Sequence, residues 1–194
     1  MTAVLRSRDG EVLPLDVDNW RRAADDLELE LLEEMIAPVI DVGCGPGRIV
    51  EAVASSGRMA MGVDPSPAAS AEAGRRGAPV LTRSIFDPLP GERRWGSVVM
   101  LDGNIGIGGD PHALLRRAHE LLAPGGKVLV EVGAPGSPTD CLTVRVELAD
   151  DHGPWFAWAR VSADDIGATF LAAGLAPDSV GRRGDRWFAT GRRT

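Results

Sequence analysis

The chain has 194 residues, enough for one domain with a substantial core. Its 44% hydrophobic and 25% charged residues are ordinary for a soluble globular protein. A net charge of −7 argues against a nucleic-acid binder, and two cysteines, Cys44 and Cys141, form neither a disulfide framework nor a zinc cluster. The basic residues are 20 Arg and a single Lys, Lys127, a bias of genome composition rather than of function. No long apolar stretch opens the chain, so neither a signal peptide nor a membrane span is expected, and the default location is cytoplasmic.

After a polar opening, "DNWRRAADDLELELLEEMI" (18–36) reads as one helix capped by Asp18, which makes residues 1–37 an N-terminal helical cap. Five short apolar runs then alternate with helical ones: "VIDV" (39–42), "MAMGV" (59–63), "PVLTR" (79–83), "SVVML" (97–101) and "KVLVEV" (127–132). Helix-like runs at 48–56, 67–76 and 111–122 lie among them, the last capped by Asp110 with Pro111 at its first position. This alternation predicts a parallel sheet covered on both faces, with a core over 38–133. Residues 141–148 and 155–161 alternate strictly and predict an inserted antiparallel hairpin, 141–161. Ser162 and Asp165 make a capping box for a helix over 163–173, and two strands, about 176–182 and 186–190, close the single domain over 162–194.

Ligands of such sheets lie beyond the carboxyl ends of the strands, where the first strand-to-helix turn comes closest. That turn is "DVGCGPGR", with Gly43, Gly45 and Gly47 at alternate positions and Asp41 before them. A bare backbone there admits a ligand closely, and the following helix points its positive end at it. The plainer alternative is a tight turn that simply needs glycine. Dinucleotide sites carry their third glycine one residue later, and an acid at the mouth would repel phosphate but suit an ammonium or sulfonium. Asp64 ends the second strand 21 residues past Gly43, where a carboxylate can accept from both ribose hydroxyls or else cap the next helix.

In order, "VIDVGCGPGR", "GVDPS", "FDPLP" and "LLAPGGKVLVEV" resemble the successive motifs of class I S-adenosylmethionine-dependent methyltransferases, over about residues 38–132. The resemblance implies a Rossmann-like, doubly wound α/β fold: a seven-stranded, mostly parallel sheet whose last strand is antiparallel and inserted beside the fifth, here with the extra hairpin. It implies S-adenosylmethionine as cofactor and S-adenosylhomocysteine as product. The glycines would border the methionine part, Asp41 the amino group and Asp64 the ribose. Cys44, Ile85, Phe86 and Asp102 join the implied cofactor contacts. Where relatives place an acid for the adenine amine stands Ser84, which can accept the bond without charge, with Asp87 as a substitute.

Methyl transfer from a sulfonium needs orientation and sometimes a base, and no metal. "LDGNIGIGGD" (101–110) puts Asn104 at the mouth of the site, either orienting an acceptor or occupying a left-handed turn. His112 is the candidate base, against the plainer reading of an exposed residue in line with Arg116 and His119. Trp155, Trp158 and Arg160 in the hairpin, with Trp20, are candidate acceptor walls with one anionic anchor, and the alternative is that they only pack. The expected activity is methylation of a small molecule at oxygen, nitrogen or carbon, with no nucleic-acid or membrane partner. The alternatives are a cofactor-binding module without catalysis and, disfavoured by the glycine spacing, an NAD(P)-dependent oxidoreductase. The sequence carries no reading of oligomeric state.

Overall fold

The computed structural model describes residues 3–194, so residues 1 and 2 of the expected cap lie outside it. The chain opens with two strands, β1 (Ala3–Ser7) and β2 (Val12–Leu15), followed by α1 (Val17–Arg21) and α2 (Asp26–Glu33). Thus the helical cap expected over 1–37 begins as a β-hairpin, and the helix expected over 18–36 is two. Asp16 rather than Asp18 caps the first, accepting from the Asn19 amide at 3.0 Å. The break comes at Asp25, whose carboxylate accepts from the Glu28 amide while Glu28 accepts from the Asp25 amide, a reciprocal capping box.

The alternating core follows: β3 (Val39–Val42), α3 (Arg48–Ser55), β4 (Ala60–Val63), α4 (Pro67–Arg75), β5 (Val80–Leu81) and β6 (Trp95–Met100). A 3₁₀ segment, Asn104–Gly109, leads to α5 (Pro111–Leu121) and β7 (Leu122–Val132). Then come β8 (Asp140–Leu148), β9 (Asp151–His152), β10 (Phe156–Arg160), α6 (Ile166–Ala172), β11 (Leu175–Arg183) and β12 (Arg186–Arg193). The main sheet has seven strands in the order β11-β12-β7-β6-β3-β4-β5. Five are parallel, and β12 is inserted antiparallel between β7 and β11. This is the α/β, doubly wound, seven-stranded arrangement.

Successive strand residues face opposite helical layers, so both layers demand apolar side chains. On β6, Val98 and Met100 join Leu114, Leu115 and Leu121 of α5 and Phe170 of α6. Val99, and Leu101 just past the strand, join Leu31 and Leu32 of α2 and Ile49, Val50 and Val53 of α3. Each fully buried leucine contributes about 1.5–3 kcal/mol.

The inserted hairpin forms as expected but is not alone. It belongs to a second sheet, β10-β8-β1-β2, with β9 pairing β8, so the N-terminal hairpin completes it. Arg6 and Arg145 stand directly opposite across β1 and β8, an unfavourable like-charge pair. Glu147 resolves it by accepting from both, at 2.6 Å from Arg6 Nε and 2.8 Å from Arg145 Nε. This sheet rides on the 3₁₀ segment over the carboxyl edge of the main sheet: at Gly106 a Cβ would collide with the Ala159 carbonyl and come within 2.5 Å of Trp158 Cε2. The helix expected over 163–173 starts later, at Ile166, and the Ser162 hydroxyl donates to Asp165 at 3.0 Å rather than accepting from an amide.

Candidate active site

Where β3, β4 and β6 end, beneath the second sheet, lies a cavity of about 550 Å³. Its floor is the glycine turn and its roof is β10. Each glycine of the turn is bare for its own reason. At Gly45 (φ +51°) the Cβ position meets nothing within 4 Å, so this residue alone of the three opens onto free space. At Gly43 a Cβ would stand 2.8 Å from Asn104 Nδ2 and from Ile107 Cδ1. Gly47 is turned away: its Cβ would lie 2.9 Å from the methyls of both Ala73 and Ala78, and it does not line the cavity. Its place is at the start of α3, where φ is +83°. Of the three glycines expected to border a ligand, Gly43 and Gly45 line the cavity, whereas Gly47 packs against Ala73 and Ala78 outside it.

Two carboxylates flank the opening. Asp41 is 4% exposed on β3, lines the cavity, and is pushed up to about 7 by burial, with the Arg48 charge pulling the other way. Asp64, after β4, accepts from the Gly45 amide at 2.9 Å on one oxygen and from the Ser66 amide at 2.8 Å on the other. It does not cap α4. That role falls to Ser66, which accepts from the Ala69 amide. Cys44 lines the same cavity as a buried thiol, driven far above its ordinary range by desolvation.

Beneath the site lies a charge network that sequence reasoning missed. Fully buried Glu28 pairs with Arg48 and, at 2.8 Å, with Arg186. Arg48 also holds Asp102 at 2.5 Å, and Arg186 reaches Asp102 at 3.4 Å and Glu131 at 2.6 Å. Asp102, in the left-handed region at φ +55°, thus gives one oxygen to each arginine while still lining the cavity. Burial raises it and Arg48 lowers it, burial being the larger effect. One signal was present: Glu28 stands three and four residues before Leu31 and Leu32, on the apolar face of α2.

The other expected residues divide. Trp20 and Trp158 line the cavity, as does Phe156, whose ring meets that of Trp158 edge to face at 6.1 Å. Asn104 lines it too, but its Nδ2 donates to the Val42 and Gly43 carbonyls at 2.9 and 3.0 Å, so it clamps the glycine turn. Trp155 does not line it: the guanidinium groups of Arg8 and Arg145 stand over its ring, at 5.4 and 4.8 Å from its centroid. Arg160 is consumed by Asp140, at 2.6 and 2.9 Å, and by Glu11, so no free guanidinium remains for an anion. His112 borders a separate small cleft with Asp110, Asp140 and Cys141. Ser84, Ile85 and Phe86 are likewise outside the cavity lining. Ile85 is buried in the α5-side core, Ser84 Oγ accepts from the Phe86 amide, and the Phe86 ring packs beside Gly108 at the cavity edge. Asp87 accepts from the Ser84 amide at 3.0 Å, a turn contact.

A family model described as a methyltransferase domain matches residues 17–180. The chain belongs to the methyltransferase-domain family. Solved structures resemble this methyltransferase in fold. A Bacteroides fragilis S-adenosylmethionine-dependent methyltransferase, in complex with S-adenosylhomocysteine, is 20% identical with a TM-score of 0.80, over 100% of this chain and 87% of that one. The Burkholderia thailandensis 1,6-didemethyltoxoflavin N1-methyltransferase is 19% identical, TM-score 0.67, over 92% and 80%. A Streptoalloteichus sugar N-methyltransferase is 22% identical, TM-score 0.65, over 95% of each chain. No curated protein matches. No helix among the described residues of this methyltransferase is long and apolar enough to cross a membrane.

Proposed function

We propose that this methyltransferase takes its methyl group from S-adenosylmethionine and transfers it to a small-molecule acceptor at oxygen, nitrogen or carbon, as a cytoplasmic single-domain enzyme. One observation carries the reading: Gly45 opens onto free space between a buried carboxylate, Asp41, and a carboxylate oriented by two backbone amides, Asp64. The donor set fits the cofactor. Asp41 offers its charge to an ammonium, which restores the stabilisation that burial removes. Asp64 keeps lone pairs beyond the two amide bonds to accept from a pair of ribose hydroxyls. Bound there, the cofactor supplies a methyl group on a leaving group that is already activated.

The chain's own contribution is then orientation and exclusion of water. Asn104 fixes the glycine turn, and Trp20, Phe156 and Trp158 form an apolar roof over it. An apolar lining of this kind favours an organic acceptor of modest size. The neighbours from Burkholderia and Streptoalloteichus, named for a didemethyltoxoflavin and for sugars, support a small acceptor class. The test is incubation with S-adenosylmethionine and a panel of amine, phenol and sugar acceptors, with S-adenosylhomocysteine quantified by mass spectrometry. Acceptor-dependent formation is expected. Binding of S-adenosylhomocysteine with no turnover on any acceptor would make the protein a binding module instead.

A further inference from the structure

A second cavity, of about 360 Å³, lies beside the first, and Trp158 lines both. The indole rests on the 3₁₀ segment, 2.5 Å from where a Cβ on Gly106 would stand and 4.0 Å from the Cβ position of Gly103. Gly103 borders the second cavity, and Asn104 and Ile107 border the first. The indole is therefore a wall common to both. Ile105, Val132, Pro138 and Val161 make the second cavity largely apolar. Two charged residues reach it, and both are already satisfied. Glu131 accepts from Arg186 and from the Asp102 amide, and Arg160 is held by Asp140 and Glu11. Neither can compensate the desolvation of an incoming ion.

The first cavity has the size of a site for one drug-sized ligand. On the reading above, on which this inference rests, the cofactor occupies it and leaves room only for the reacting end of an acceptor. We propose that the second cavity holds an uncharged, apolar portion of the acceptor, whose reacting group reaches past Trp158 toward the first. The acceptor is thus an elongated small molecule with an apolar ring or chain at the end remote from the methylated atom. Carboxylates and phosphates at that end are excluded.

The probe is N-phenyl-1-naphthylamine, an uncharged apolar fluorophore that brightens on leaving water. It is titrated into protein saturated with S-adenosylhomocysteine, saturation being checked by calorimetry. Saturable brightening is expected to persist with that ligand bound. Ser137→Trp, projecting a large side chain from the second cavity's wall, should weaken the probe about tenfold or more, as should Pro138→Trp, while S-adenosylhomocysteine affinity and Tm stay near wild type. The sulfonated analogue 8-anilinonaphthalene-1-sulfonate should bind at least about tenfold more weakly than the neutral probe. Displacement of the neutral probe by S-adenosylhomocysteine, unchanged probe affinity in both variants, or equal binding of the sulfonate would each overturn the inference alone. Failure of S-adenosylhomocysteine to bind at all would overturn the reading of the first cavity, and this inference with it.

Discussion

Asn104 and Gly43 lock together: the asparagine amide donates to the Gly43 carbonyl at 3.0 Å, and a Cβ on Gly43 would come within 2.8 Å of that same nitrogen. On the proposed function, Asn104 is therefore a positioning residue that acts through the turn it holds. Asn104→Ala removes two hydrogen bonds, each worth about 0.5–1.5 kcal/mol. It should weaken S-adenosylhomocysteine binding by calorimetry while the far-UV circular dichroism stays native. Asn104→Asp should be worse, since a carboxylate would face two carbonyl oxygens. Equal cofactor affinity in all three proteins would show that the turn keeps its shape unaided.

The glycines of the turn should separate by phenotype. Gly45→Val projects into open cavity space, so binding should be abolished, with a backbone cost of about 1–3 kcal/mol for the left-handed φ. Gly47→Ala drives a methyl against Ala73 and Ala78 and should cost a comparable or larger free energy, read as a lower Tm. At a temperature where it is folded, Gly47→Ala should bind better than Gly45→Val. The reverse order would mean that the turn faces the other way.

Much of this was legible, and what was not has a physical reason. The buried parallel strands announce themselves as continuous apolar runs, and the glycine turn sits at the end of the first. The opening hairpin was readable in part: buried Ala3, Leu5 and Ser7 alternate with half-buried Val4 and Arg6, and Asp9-Gly10 is a turn signal, Gly10 having φ +91°. Its pairing with β8 joins residues some 140 positions apart, for which local periodicity carries no information. The break between α1 and α2 was marked by the acid pair Asp25 and Glu28 at capping-box spacing, overlooked within a long charged run. The same remoteness hid the charge network, since Glu28, Arg48 and Arg186 come from α2, α3 and β12. For Arg160 residue type suggested an anchor for an anion, but Asp140 and Glu11 already occupy its guanidinium, and Trp155, expected in a ligand wall, stands against Arg8 and Arg145 instead.

The two kinds of arginine should differ in stability. Arg48→Met strips a buried cation from Glu28 and Asp102, and breaking such a pair costs about 3–5 kcal/mol. Arg160→Ala frees carboxylates that water can reach, so about 1 kcal/mol is expected. Arg160 holds Asp140 below the usual carboxylate range by hydrogen bonding. That stabilisation is present above the unfolded-state value and is lost as pH falls through the depressed folded value. Urea melts should therefore show Arg160→Ala converging on wild type in acid and separating from it near neutrality. A gap that widens in acid would contradict the pairing.

Asp41 makes binding depend on pH. With the Asp41 carboxyl pushed up to about 7, a ligand that brings an ammonium group to it must first drive off a proton below that value. S-adenosylhomocysteine affinity should rise between about pH 6 and 8 and then level off. Asp41→Asn should bind more weakly with a flat profile. A wild-type profile that is flat or falls over the same range would deny Asp41 contact with a cation.

The most direct measurement is calorimetric titration of wild type and Asp64→Ala with S-adenosylhomocysteine and with NADH. Wild type is expected to bind the adenosyl ligand and not NADH. Asp64→Ala should lose about 1.5–3 kcal/mol of that binding, the scale of a hydrogen bond to a charged group. Tight NADH binding with no response to S-adenosylhomocysteine, or an unchanged dissociation constant in a folded Asp64→Ala variant, would contradict it.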